Sequence, residues 1–132
     1  MPNPRLADDI VMGVFYFFPN NRRQFRDDRQ KRHEFFYEQK QKYPDLMRCI
    51  GFRNREHFPE SEALDQAYSN LYGNLLHSWG YDFNPHEVDP ALKSAFERQK
   101  MSLFSPEDLK KLAKISREFQ RRFSLEETVT SK

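Results

Sequence analysis

The chain has 132 residues, enough to bury one hydrophobic core but not two, so a single domain is expected. Its 22 Lys and Arg against 20 Asp and Glu leave a formal charge of +2, which permits contact with nucleic acid without indicating it. Cys49 is the only cysteine, and the longest apolar run, residues 10–18, is too short for a bilayer span and lacks the basic front of a secretion signal; these features exclude an internal disulfide and point to a soluble, cytoplasmic protein.

A mean hydropathy of -0.97 suggests disorder, but thirteen Phe, six Tyr and one Trp supply apolar area for a core. Before residue 126 the β-branched residues are Ile10, Val11, Val14, Ile50, Val88 and Ile115, too few for a sheet-dominated protein. The expected class is therefore mainly α with a small β-hairpin. One domain over residues 1–125 is expected, with a core over about 4–88, a helical extension over about 89–125 and a disordered tail over 126–132.

Asn3 and Pro4 look like a cap and first helical residue, followed by Leu6, Ala7, Ile10, Val11, Val14, Phe15, Phe17 and Phe18 in a nearly all-round apolar helix, the expected centre of the core. Pro19, Asn20 and Asn21 end it. A charged stretch follows, in which a helix is expected from about Gln30 to Lys42. Pro44 and Asp45 break that helix, and residues 46–52 read as a short strand or extended passage into a loop with Arg53, Arg55 and His57.

Leu64, Ala67, Tyr68, Leu71, Leu75 and Trp79 recur at spacings of three and four, which predicts an amphipathic helix capped by Ser61 and stopped by Gly80. Tyr81 and Phe83 then alternate with Asp82, and Asn84, Pro85 and His86 can turn the chain into Glu87 and Val88, predicting a hairpin over residues 81–88. Asp89 and Pro90 cap a further helix with Leu92, Ala95, Phe96 and Leu103 inward. Ser105, Pro106, Glu107 and Asp108 make the clearest helix start in the chain, with Leu109, Leu112, Ser116, Phe119 and Phe123 on one face. This last helix either completes the core or pairs with a second copy.

Residues 22–33 hold Arg22, Arg23, Arg26, Arg29, Lys31 and Arg32 against Asp27 and Asp28, the largest charge asymmetry in the sequence. Such a run either grips phosphate or forms a solvated face neutralised by nearby acids. The exposed side of the central helix carries Gln66, Ser69, Asn70, Gly73 and Asn74, with no Lys or Arg between Arg55 and Lys93. Glu60, Glu62 and Asp65 at its start would repel phosphate.

Leu64, Ala67, Leu71, Leu75 and Leu76, followed by Tyr81 and the turn at Asn84, Pro85 and His86, resemble the third helix of a winged-helix domain running into its wing. That resemblance covers roughly Leu6 to Val88 and implies a binding protein whose third helix faces DNA. Because acids crowd that helix here, nucleic-acid contact is expected from Arg22, Arg23, Arg26, Arg29, Arg32, Arg53 and Arg55. The function expected is that of a non-enzymatic regulator contacting nucleic acid. The alternative is a protein interaction adaptor using the face of Gln66, Ser69, Asn70, Gly73 and Asn74, where Gly73 lets another backbone approach; a homodimer is possible and no membrane partner is expected.

The four histidines and Cys49 lack metal-ligand spacing, and no glycine-rich phosphate loop exists, so no metal or cofactor is expected. Arg26 and His33 also resemble the Arg-x(4–6)-His spacing of HEPN-family ribonucleases, which would make His33 an acid or base and Arg26 a phosphate holder. That enzymatic reading stands as a second alternative.

Overall fold

The first helix, α1 (Ala7–Tyr16), is apolar on almost every side, and such a helix must be surrounded by protein. Ile10, Val11, Val14 and Phe15 are all fully buried in the computed structural model, which describes residues 6–19, 24–26, 28–54, 57–72, 75–78 and 86–123. Three later helices pack around α1: α3 (Glu62–Leu71), α4 (Ala91–Gln99) and α5 (Pro106–Phe123). The expected start at Asn3 and Pro4 lies outside the described residues. Within them, the Leu6 N–H donates to the Asp9 carboxylate at 2.8 Å, and Lys100 Nζ stands 2.9 Å from the other oxygen of that buried acid. Leu6 itself is exposed, because it precedes the helix instead of lying on its buried face.

Strand β1 (Gln24–Phe25) leads to α2 (Arg29–Lys42), which begins where Asp28 Oδ1 accepts the Lys31 N–H at 3.0 Å. Residues 44–49 form turns, not the strand or extended passage expected for 46–52. Met47 N–H reaches the Tyr43 carbonyl and Ile50 N–H the Met47 carbonyl, so backbone bonds close locally while Leu46, Met47 and Ile50 enter the core. The only extended contact nearby is a bridge between Arg53 and Glu60, among the described residues.

Helix α3 is capped as the sequence predicts, with Ser61 Oγ accepting the Leu64 N–H at 3.1 Å, and it buries Leu64, Ala67, Tyr68 and Leu71. It stops eight residues before Trp79. Tyr72 is extended, and the next described element in the chain, strand β2 (Leu76–Ser78), pairs antiparallel with β3 (His86–Val88) so that Leu76 faces Val88, both fully buried. Leu75 and Leu76 continue the helical spacing, but Leu76 is buried opposite Val88, and the Asp89 N–H donates to the Leu75 carbonyl at 2.8 Å where the pairing begins. The hairpin thus opens five residues earlier than the sequence predicts; Gly80, Tyr81 and Phe83 lie outside the described residues. Strand β1 adds to the other side of β3, giving the order β1-β3-β2.

Asp89 Oδ1 accepts the Ala91 N–H at 2.7 Å to start α4, which buries Leu92 and Phe96. A short 3-10 turn over Met101–Leu103 leads to Ser105, whose hydroxyl accepts the Asp108 N–H at 3.1 Å and starts α5. Leu112, Ile115, Ser116, Phe119 and Phe123 are buried, so α5 completes the core within the chain. Phe119 is the hub: its ring lies 5.4 Å from both Phe15 and Phe35, 6.0 Å from Phe18 and Phe25, and 4.5 Å from Phe123. The protein is mainly helical with a small antiparallel sheet. No helix among the described residues is long and apolar enough to cross a membrane.

Candidate nucleic-acid interface

Helix α2 puts Arg29, Arg32 and His33 within one turn, and the cap and first turn of α3 put Glu60, Ser61 and Asp65 opposite them. Arg29 grips Asp65 with both Nε and Nη2, at 3.3 and 2.7 Å, and reaches Glu60 at 3.5 Å. Arg32 Nη2 lies 3.4 Å from Asp65, and its guanidinium sits 4.1 Å above the centre of the Tyr68 ring, a contact that favours a desolvated cation. The basic run and the acidic helix start, read apart in sequence as attractive and repulsive to phosphate, neutralise one another here.

His33 stands at the centre of this cluster and is fully buried. Its Nδ1 accepts the Ser61 backbone N–H at 3.0 Å, so the ring proton belongs on Nε2, which donates to Asp65 Oδ1 at 2.8 Å. Burial lowers the imidazole below its usual 6.5, and this outweighs the opposing pull of Asp65. Burial also pushes the Asp65 carboxyl up, but the hydrogen bonds from Arg29 and His33 prevail and hold it below the usual carboxylate range. Both ring nitrogens are thus hydrogen-bonded within the protein.

The structure joins the two basic stretches of the sequence. Arg53 and Glu60 exchange backbone hydrogen bonds of 2.8 and 2.9 Å, and Glu60 is the same residue that Arg29 reaches. Arg53 is exposed, and so is Arg26, whose N–H donates to the Phe123 carbonyl at the end of α5. Arg29 remains half exposed despite its ion pairs, while Arg32 is buried. Arg22, Arg23 and Arg55 lie outside the described residues.

On α3, Gln66, Ser69 and Asn70 are exposed, as the sequence predicts for that face. Gln66 Nε2 donates to Asn70 Oδ1 at 2.9 Å, and Asn70 Nδ2 donates to Asp8 Oδ2 at 2.8 Å, so the amides are held in place by α1. Gly73 and Asn74 lie outside the described residues. No group of three metal-ligating side chains comes together among the described residues.

Sequence reasoning missed the partners of the arginines. Asp65 and His33 are 32 residues apart, and no local spacing announces that they meet. No protein-family model matches the chain, and neither a curated protein nor a solved structure is detectably similar to it.

Proposed function

We propose that this protein is a non-enzymatic, winged-helix-like regulator of the cytoplasm that contacts nucleic acid through a basic patch. The observation that carries the reading is the meeting of Arg29 and Arg53 at Glu60, which brings residues from two separate basic stretches to one surface. Asp65 argues against phosphate contact only while its charge is uncompensated; Arg29 and Arg32 neutralise it together with Glu60, so these acids no longer set a repulsive charge beside the exposed Arg26 and Arg53. Arg26, Arg29 and Arg53 are the exposed members, and Arg22, Arg23 and Arg55 adjoin them in sequence. The order helix, strand, helix, helix, hairpin is compatible with a winged-helix layout. The engagement of both His33 nitrogens supports binding over catalysis.

The test is binding of a labelled DNA duplex across a salt series, comparing the wild type with R26Q/R53Q. Arg29 and Arg32 stay in place because their loss would leave Asp65 uncompensated. Binding that weakens as salt rises, and weakens further in the variant, supports the reading; wild-type affinity no better than the weak nonspecific range at low salt removes it. A second reading, a protein interaction adaptor, is favoured by the fixed amide ladder of Gln66 and Asn70, an ordered uncharged surface suited to another protein.

A further inference from the structure

Helix α5 carries a second cationic surface that the α2 run obscures in the sequence. Lys110, Lys114, Arg117 and Arg121 follow one another at spacings of four, three and four, so they lie along one line of the helix, and all four are exposed. At 100° per residue this line falls on the pole opposite Leu112, Ile115, Phe119 and Phe123, the buried face. The row is about 16 Å long at the helical rise. Unlike Arg29 and Arg32, Lys110, Lys114 and Arg117 form no ion pair among the described residues. Lys114, Arg117, Glu118 and Arg121 also border an open depression of about 450 Å³. Its one acid, Glu118, is held by Arg121 and by Arg122 at 3.3 Å, and the Arg121 hydrogen bond keeps its carboxyl below the usual range, so its charge is already compensated.

We propose that this row binds the phosphate backbone of a nucleic-acid duplex without reading its sequence. The inference rests on the nucleic-acid reading above and adds a contact surface on a different helix. The chemistry of the row selects the ligand. A bilayer would need apolar side chains on the same face, but those of α5 are in the core. A single strand would need aromatic stacking platforms, and the only large exposed hydrophobic residues among those described are Leu6 and Tyr37, neither on α5. Lys110, Lys114 and Arg117, extended by the Glu118-paired Arg121, set positive charge at nearly regular intervals on a rigid rod, which suits a regular line of phosphates. Arg26, whose amide is bonded to the Phe123 carbonyl, places one more exposed cation at the C-terminal end of that helix.

The experiment measures binding of two duplexes of unrelated sequence, and of one single strand, by fluorescence anisotropy across a salt series. Wild type is compared with K114Q/R117Q and with R48Q/R98Q, which removes two exposed charges from elsewhere on the surface. The expected result is that K114Q/R117Q weakens binding to both duplexes alike, on the order of tenfold at 0.15 M salt, and makes the salt slope shallower by roughly two, whereas R48Q/R98Q does neither. Unchanged binding by K114Q/R117Q, equal loss in R48Q/R98Q, or tighter binding of the single strand overturns the inference while leaving nucleic-acid binding intact. Absence of duplex binding by the wild type overturns both.

Discussion

His33 Nε2 lies 2.8 Å from Asp65 Oδ1 while His33 Nδ1 accepts the Ser61 N–H, so the fully buried ring is satisfied only in its neutral form. A second proton on Nδ1 would face another donor and add a cation beside Arg29 and Arg32, which already share Asp65 and Glu60. Because the folded ring titrates below its usual 6.5, the unfolded chain binds the extra proton first as pH falls. Stability should therefore be level above about pH 7 and decline as pH drops below roughly 6.5 until the folded ring also titrates. Asp65 is depressed as well and acts in the same sense, but its contribution is lost only at more acid pH, as pH falls below the usual carboxylate value of 3.8. Thermal melts between pH 5 and 8 check this; a flat profile would show that His33 is not sealed as described.

Removing the carboxylate separates its two duties. Asp65→Asn keeps an oxygen for the His33 Nε2–H but gives up the charge that Arg29 and Arg32 share; Asp65→Ala gives up both. The alanine variant should lose about 2 kcal/mol, mostly from leaving the buried imidazole donor unpaired, and the asparagine variant clearly less. Urea unfolding of the three proteins at pH 7.5 measures the order. Equal losses would mean that the arginine pairs, not the histidine bond, make Asp65 matter.

Gly13 marks the close approach of α1 to α5. A Cβ at this position would lie 2.7 Å from Leu112 Cδ1 and 3.4 Å from the Phe96 ring, and both of those side chains are fully buried. Alanine would gain about 1 kcal/mol of helix propensity but overpack the contact by a cost of about 1–3 kcal/mol, so Gly13→Ala should be destabilised by about 1 kcal/mol net. Leu112→Ala opens the space, and the double variant should show a favourable coupling between the two sites. Strictly additive losses in denaturant melts would argue against the contact.

What could be read from sequence divides by distance along the chain. The caps at Ser61 and Ser105 and the apolar face of Leu112, Phe119 and Phe123 follow from neighbours within a few residues, and the structure has them as read. The end of α3 was misplaced because Leu75 and Leu76 fit a helical stripe and a strand equally; the deciding partner, Val88, is twelve residues on from Leu76. The pairing of Arg29 with Asp65 was invisible for the same reason, being a contact across 36 positions. By contrast the row from Lys110 to Arg121 is visible in helical spacing alone. The structure contributes the fact that Lys110, Lys114 and Arg117 form no ion pair among the described residues, while Arg29 and Arg32 do.

The last prediction concerns whether α5 is a detachable extension. Phe119 touches rings from α1, β1 and α2 at once, so it ties together elements far apart in sequence. Ser116 Oγ donates to the Val14 carbonyl, and Gln120 Nε2 donates to the Phe17 carbonyl at 3.3 Å, fixing α5 along the end of α1. Phe119→Ala should cost about 3–5 kcal/mol, a large share of the stability of a domain this size. Ending the chain at Ser105 should prevent folding altogether, because Phe15, Phe18, Phe25 and Phe35 would lose the ring on which they converge. Circular dichroism melts and molar mass measurements of the two proteins decide the matter: a truncated chain that stays folded and changes only its association state would make α5 a pairing element and not part of the core.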